Sequence, residues 1–317
     1  MTNSANPLSA NVRASLYMML SMMGFTINDI FIKSLDGELA VGQIMAIRGF
    51  ILLIIVFFII WQQGLLRRLR ELLVPTVLYR SIMEVCATLA FLTTLQALPF
   101  ATIAAILQAL PLAVAVGAAV FLGEPVGWRR WIAIAVGFVG VLIIIRPGLG
   151  GFEAMSLLVL LSVLFAAARD LLTRRLPSTL PSLLVSGATT CAITSAGVVI
   201  TSTTGTWQSV TPQQLGTMTM AACFLFFGYQ FIVLAMRTGE VAYVVPFRYT
   251  SLVWAIGLAF LVFNEVPDTL TIVGSAIVIA MGMFTLYREI VTGRRAVTST
   301  SANAAGNAWH EKDSKDN

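Results

Sequence analysis

Charge is what this sequence has least of. Only 11% of its 317 residues are charged, while 58% are hydrophobic, against about 25% and 45–50% in ordinary soluble domains. With a mean hydropathy of +0.88, that composition excludes a cytosolic enzyme, a nucleic-acid binder and a disordered chain. Histidine occurs once, at His310, so no His/Cys cluster can hold a metal. The three cysteines, Cys86, Cys191 and Cys223, all fall in apolar runs. An odd number in such surroundings is no disulfide framework and reads as small packed hydrophobes. A G-x-x-x-x-G-K-[ST] loop, an H-E-x-x-H pair and a G-x-S-x-G elbow are all missing, which removes P-loop ATP hydrolysis, zincin chemistry and the serine-hydrolase fold. No cofactor or metal is expected.

What the chain has instead is apolar length. A helix needs about 20 apolar residues to cross a bilayer, and ten stretches qualify: 14–34, 41–62, 75–97, 101–122, 129–146, 153–173, 182–203, 215–236, 241–263 and 269–288. The expected fold is therefore all-α, with ten transmembrane helices and a lipid bilayer as surroundings. Residues 1–13 form a polar leading segment. The first apolar run continues into Asn28 and Asp29, beyond a signal h-region, and reads as a retained helix. Residues 292–317, rich in Ser, Thr, Ala, Asn and Lys, read as a disordered tail.

The sequence pI near 9.4 comes from arginines in the connections. With ten spans, Arg13, Arg67, Arg68, Arg70, Arg129, Arg130, Arg174, Arg175, Arg237, Arg288, Arg294, Arg295, Lys312 and Lys315 share one side, leaving Lys33 and Arg146 on the other. The positive-inside rule places both termini in the cytoplasm. Trp61, Trp128 and Trp131 fall at cytoplasmic boundaries and Trp207 at an outer one, where interfacial aromatics collect.

An offset of 141 residues aligns the chain with itself. Leu20-Ser21 meets Leu161-Ser162, Asp29 meets Asp170, Lys33 meets Arg174, Ala101 meets Ala242 and Glu124 meets Glu265. Apolar matches between membrane segments come cheaply, but matched polar residues in so uncharged a chain do not. Each copy, 14–146 and 153–288, holds five spans. An odd number makes the second copy inverted in the membrane, the plan of many secondary transporters, with a site expected near the midplane between halves.

Ionisable residues in mid-span are costly and usually face a cavity or a partner. Arg80 and Glu84 lie i, i+4 on the third span, within reach of each other; they read as a charged wall or as a self-neutralising pair. Arg48 and Arg248 have no acid on their own helix. Arg248 follows Pro246, which loosens its turn, and is flanked by Phe247 and Tyr249, with Trp254 six residues on. These residues are the leading substrate-binding candidates, together with Gln108 near Pro111 and the pair Tyr229-Gln230. Asp29 and Asp170, in matching places, read as gates or as polar helix ends. Glu124 and Glu265 read as structural caps. The methionines around Met18–Met23 read as packing or an adaptable pocket, and Ala133-x-x-x-Gly137 as close helix contact.

The paired five-span repeats, the segment Ala97-Leu-Pro-Phe-Ala101 leading to Gly123-Glu124-Pro125, and its counterpart from Thr238-Gly-Glu-Val-Ala242 to Asn264-Glu265 resemble the drug/metabolite transporter superfamily, in particular its ten-helix EamA-type members. The likeness covers about residues 13 to 290; Asn264 departs from it by standing where a glycine recurs. It implies a multi-pass protein of the bacterial inner membrane, a central cavity and a small-molecule substrate. The run Pro246-Phe-Arg-Tyr-Thr-Ser-Leu-Val-Trp254 looks like members associated with riboflavin uptake or S-adenosylmethionine transport. The resemblance thus implies a secondary transporter, riboflavin uptake being the first reading and an amino-acid or metabolite exporter, or S-adenosylmethionine transport, the alternatives. A membrane-embedded enzyme is the reading from another class.

Overall fold

The computed structural model describes residues 7–35, 37–124, 126–147, 154–177 and 179–288. The tail at 292–317, with His310, and the first six residues lie outside the described residues. The described chain is helical throughout, and ten helices are long and apolar enough to cross a membrane. They are α1 (Pro7–Lys33), α2 (Val41–Gln62), α3 (Pro75–Leu95), the split pair α4 (Phe100–Leu107) and α5 (Leu110–Phe121), α6 (Trp128–Ile145), α7 (Met155–Arg174), α8 (Ser182–Thr204), α9 (Pro212–Thr238), the split pair α10 (Val241–Val244) and α11 (Thr250–Phe263), and α12 (Thr269–Arg288). Helix α1 begins at Pro7, earlier than hydropathy placed it, because helical hydrogen bonding continues through polar residues that hydropathy discounts. Trp61, Trp128 and Trp207 are well exposed at span ends. Cys86, Cys191 and Cys223 are all free.

Two of the ten spans are broken, at matching places. The fourth changes from α4 to α5 at Gln108-Ala109, just before Pro111, and the ninth passes through a 3-10 turn, Val245–Tyr249, before α11. Proline at a helix start removes a donor that would otherwise be unsatisfied and fixes φ. The two breaks lie 141 residues apart, and Gln108 Nε2 donates to Ser251 Oγ across them at 2.9 Å.

The same offset recurs in the contacts. Helix α1 packs mainly on α9 and α7 on α3, while α2 and α8 pack on each other. Beyond α5 and α11, Gly123 and Asn264 both take left-handed φ, +67° and +55°. The Glu124 and Glu265 N–H groups then close back on the carbonyls of Ala118 and Ala259, so each helix end is capped through a left-handed residue. Asparagine tolerates this conformation better than other non-glycine residues, which explains the departure at position 264.

Close approach depends on small residues, as is usual where lipid removes the hydrophobic drive between helices. A Cβ on Gly197 would stand 2.6 Å from both the Gly42 carbonyl oxygen and the Ala46 nitrogen, and one on Gly24 would meet the α9 backbone at 3.1 Å. The connection after α2 is not a plain loop. It forms a 3-10 helix, Leu65–Leu72, whose Leu65, Leu66 and Leu72 pack against Leu52, Val56, Ile60 and Leu184. On its outer side Arg68 pairs with Glu71 at 2.6 Å and donates to the Thr179 carbonyl. The hydrogen bond from Arg68 holds the Glu71 carboxyl below its ordinary range.

Candidate substrate site

The interior of the bundle carries a set of charged side chains drawn from five spans. Helix α1 supplies Asp29, which accepts from Asn28 Nδ2 at 2.8 Å, and Arg48 of α2 donates to Asn28 Oδ1 at 3.3 Å. Arg48 and Asn28 are both buried. Asp29 therefore has an amide partner and, among the described residues, no ion pair.

Farther toward the other end, Arg169 of α7 joins two acids. It pairs with Glu84 on α3 at 2.7 Å and with Asp170 at 2.8 Å. The pairing of Arg80 with Glu84 along α3, expected from their spacing, is not made. Arg80 Nε donates to Thr173 Oγ1 at 2.8 Å and its Nη1 to Thr189 Oγ1, while Glu84 is taken by Arg169. Partners on α7 and α8 outcompete the local one, since a guanidinium fork and a carboxylate gain more from aligned contacts across helices than from an i, i+4 reach.

Tyr229 of α9 stands within electrostatic range of Glu84, Arg169, Arg48 and Arg80, joining the two groups of charges. Its ring meets Phe25 edge-on at 5.3 Å. It is 43% exposed, and that open surface lies beside charged groups. Gln230, the next residue, is rotated about 100° around the helix by the α-helical period and is partly buried.

Arg248 sits in the 3-10 turn of the broken ninth span, half-buried and within electrostatic range of Asp170, Arg169 and Tyr249. Among the described residues it makes no hydrogen bond and no ion pair. Tyr249 turns toward α12, its hydroxyl buried without a partner beside Gly282. Trp254 packs against the cluster formed by Ala14, Met18, Met22, Ala235 and Val244, and its indole N–H is likewise buried and without a partner among the described residues. Gln108 is buried at the other break. The expected residues are thus distributed: Asp29, Glu84, Arg80, Asp170, Tyr229 and Arg248 share one electrostatic neighbourhood, Gln108 ties the two breaks, and Tyr249 points elsewhere. Arg48 and Arg169 complete the cluster. The sequence flagged Arg48 as ionisable in mid-span, but only the tertiary contacts make it and Arg169 central.

The EamA-like transporter family is matched twice, by residues 12–146 and again by residues 154–287. The chain belongs to the EamA-like transporter family. As an EamA-family protein with ten apolar helices it is a multi-pass membrane protein and a transporter of small metabolites. It is 25% identical over 283 residues to an S-adenosylmethionine uptake transporter of Rickettsia prowazekii (strain Madrid E), covering 86% of this chain and 92% of the relative. It is 28% identical over 229 residues to a riboflavin transporter of Rhizobium johnstonii, covering 69% and 72%. A third relative, the pseudopaline exporter CntI of Pseudomonas aeruginosa, is 23% identical over 83% of this chain and 92% of its own length. A solved crystal structure superposes on this EamA chain with a TM-score of 0.63 at 15% identity, covering 87% and 98% of the two chains. At that identity the likeness shows the fold.

Proposed function

We propose that the chain is a secondary transporter of the inner membrane, with both termini cytoplasmic, whose two halves, 14–146 and 153–288, are inverted copies. The substrate site is the charged interior beside the broken spans, and the substrate is a small metabolite that carries both a carboxylate and cationic groups, in the class of S-adenosylmethionine, whose carboxylate and ammonium share one end and whose sulfonium adds a second positive charge. One observation carries this reading. Among the described residues, Arg248 is an interior cation with no hydrogen bond and no ion pair, and Asp29 is an interior acid held by the Asn28 amide, with Arg48 in electrostatic range but no contact ion pair. A charge without a contact ion pair inside a membrane protein is expensive unless a cavity or a ligand serves it, and groups of both signs fit a ligand that carries charges of both signs. Broken helices at corresponding positions of two halves are where transporters place their sites.

A second reading, riboflavin uptake, is favoured by a different observation. Among the described residues the buried indole N–H of Trp254 lacks a partner, and Tyr229 offers an open ring. Together they match the carbonyls and flat ring of an uncharged flavin.

The test is uptake of labelled S-adenosylmethionine and labelled riboflavin into cells and inverted vesicles, for the unaltered chain, Arg248→Ala and Trp254→Ala, at matched membrane abundance. A charge-assisted contact contributes about 1.5–3 kcal/mol, so Arg248→Ala should lower S-adenosylmethionine transport by about 10- to 100-fold. Riboflavin transport that survives Arg248→Ala and fails in Trp254→Ala would replace the first reading by the second.

A further inference from the structure

We infer that two inter-half ion pairs, Lys33–Glu265 and Arg174–Glu124, are opposed locks that set which end of the transport path is open, and that the structure holds the Lys33 end shut. The inference rests on the transporter reading above and adds the residues that govern its direction of opening. Lys33 and Arg174 end the first helix of each half, and Glu124 and Glu265 follow the capped ends of α5 and α11. All four are related by the 141-residue offset, and each cation reaches the acid of the other half. Because the chain crosses the bundle ten times, Lys33 and Glu265 lie at one end, Arg174 and Glu124 at the other.

The two pairs are alike in chemistry and unlike in surroundings. Lys33 Nζ lies 3.4 Å from Glu265 Oε1, with the side chains 14% and 24% exposed. It also donates to the Leu98 carbonyl at 2.7 Å, and the other Glu265 oxygen accepts the Phe100 N–H, the first donor of α4, at 2.7 Å. That bond satisfies a helix-start donor and places negative charge at the positive end of the helix dipole. Leu35, Leu39, Leu95, Leu98 and Ile103, on the elements that carry the pair's partners or adjoin them, are all buried and belong to one core cluster. At the opposite end Arg174 and Glu124 meet at 3.0 Å with 45% and 39% exposure. An exposed pair of that kind contributes little on its own.

Equivalent residues in unequal surroundings are what one state of a two-state device shows. Both pairs are formed and differ in burial; tighter closing of the Arg174 end would give Glu124 and Arg174 the burial that Glu265 and Lys33 have here, and opening the Lys33 end would expose Glu265 and Lys33 in turn. The helix-start bond to Phe100 couples lock to site, because α4 runs from that bond to the Gln108 break. With the arginine-rich loops on the cytoplasmic side, the closed end is the outer one.

The test needs no substrate. In a background with Cys86, Cys191 and Cys223 changed to Ala, spin labels at Ser34→Cys and Val266→Cys report the closed end, and labels at Leu122→Cys and Leu176→Cys report the other. Distances are read by double electron–electron resonance in nanodiscs. Glu265→Gln should raise the long-distance population of the 34/266 pair at least about fivefold, at the scale of a typical coupling free energy, and shift the 122/176 pair toward short distances. Glu124→Gln should lengthen 122/176 and leave 34/266 short. Lys33→Glu combined with Glu265→Lys should restore only part of the short-distance 34/266 population, because the charge pair returns while the bonds to the Phe100 N–H and the Leu98 carbonyl do not. Changes confined to the altered end would overturn the inference and leave two local struts. A chain that carries neither labelled metabolite but shows the coupled distances would refute the substrate reading alone.

Discussion

Arg169 and Glu84 meet at 2.7 Å across the contact between α7 and α3, and the same guanidinium holds Asp170 at 2.8 Å. Both partners of the Glu84 pair are largely buried, at 21% and 12% exposure. One arginine therefore neutralises acids from two helices at the inner edge of the charged cluster.

Removing Arg169 alone should cost more than removing it together with Glu84. Arg169→Gln leaves Glu84 and Asp170 without their shared cation, and breaking a buried pair costs about 3–5 kcal/mol. The double change Glu84→Gln with Arg169→Gln should recover part of that loss. Thermal unfolding of the purified protein in one detergent, followed by tryptophan fluorescence for both singles and the double, measures it. Additive losses would show that the two residues do not act as a pair.

Gly197 should tolerate no side chain. Its Cβ position is within 2.6 Å of backbone atoms of α2, whereas nothing lies within 4 Å of a Cβ on Gly216. Gly197→Ala should force α2 and α8 apart and lower the unfolding temperature. Gly216→Ala, also inside a helix, should raise stability by about 1 kcal/mol through propensity alone. Folded yield by size-exclusion chromatography and the two melting curves separate the outcomes.

Asp268, in the connection before α12, is the acid whose titration should be visible outside the spans. Partial burial pushes its carboxyl up, but the Thr271 N–H and the Arg146 guanidinium outweigh that and hold it below its ordinary value of 3.8. A depressed value in the folded protein means the contribution is fully present above pH 3.8 and is lost as pH falls through the folded value. The melting-temperature gap between the unaltered chain and Asp268→Asn should stay constant from pH 7 to about pH 5 and narrow below pH 4. Half the Asp268 side chain is exposed, so the gap should also shrink in high salt. A gap that widens on acidification would contradict the assignment.

The ten spans were readable from the sequence because a bilayer demands a length of apolar chain that nothing else in this composition explains. The 141-residue offset was readable for a related reason: polar residues are so few that Ser21 with Ser162, and Glu124 with Glu265, could hardly align by composition. In the structure the two serines do the same thing, Ser21 donating to the Gly228 carbonyl and Ser162 to that of Ala87, acceptors that are again 141 residues apart. The choice of charge partners was not readable. Arg80 and Glu84 are neighbours on one helix, and only the registry of α7 and α8 against α3 decides that Arg80 turns to Thr173 and Thr189. Tyr249 likewise looked like part of the Arg248 face, yet the 3-10 turn after Pro246 rotates it toward α12. The leucines of 65–72 passed as an arginine-rich loop, because a short 3-10 segment does not show the helical period by which apolar faces are recognised.

The crossed packing of first helices onto third helices has a consequence for how the protein is made. The main partner of α1 is α9, which begins roughly 180 residues later in the chain. At a synthesis rate of about 5–20 residues per second, α1 enters the membrane on the order of 10–40 s before α9 exists. During that interval Asn28 and Asp29 have no α9 beside them, and Ser21 lacks its Gly228 acceptor. Helix α7, by contrast, emerges after its partner α3 is already in place. The first half is therefore assembled around a vacancy that only the second half fills, and a ribosome pausing between residues 174 and 212 would lengthen the time α1 stands alone in lipid.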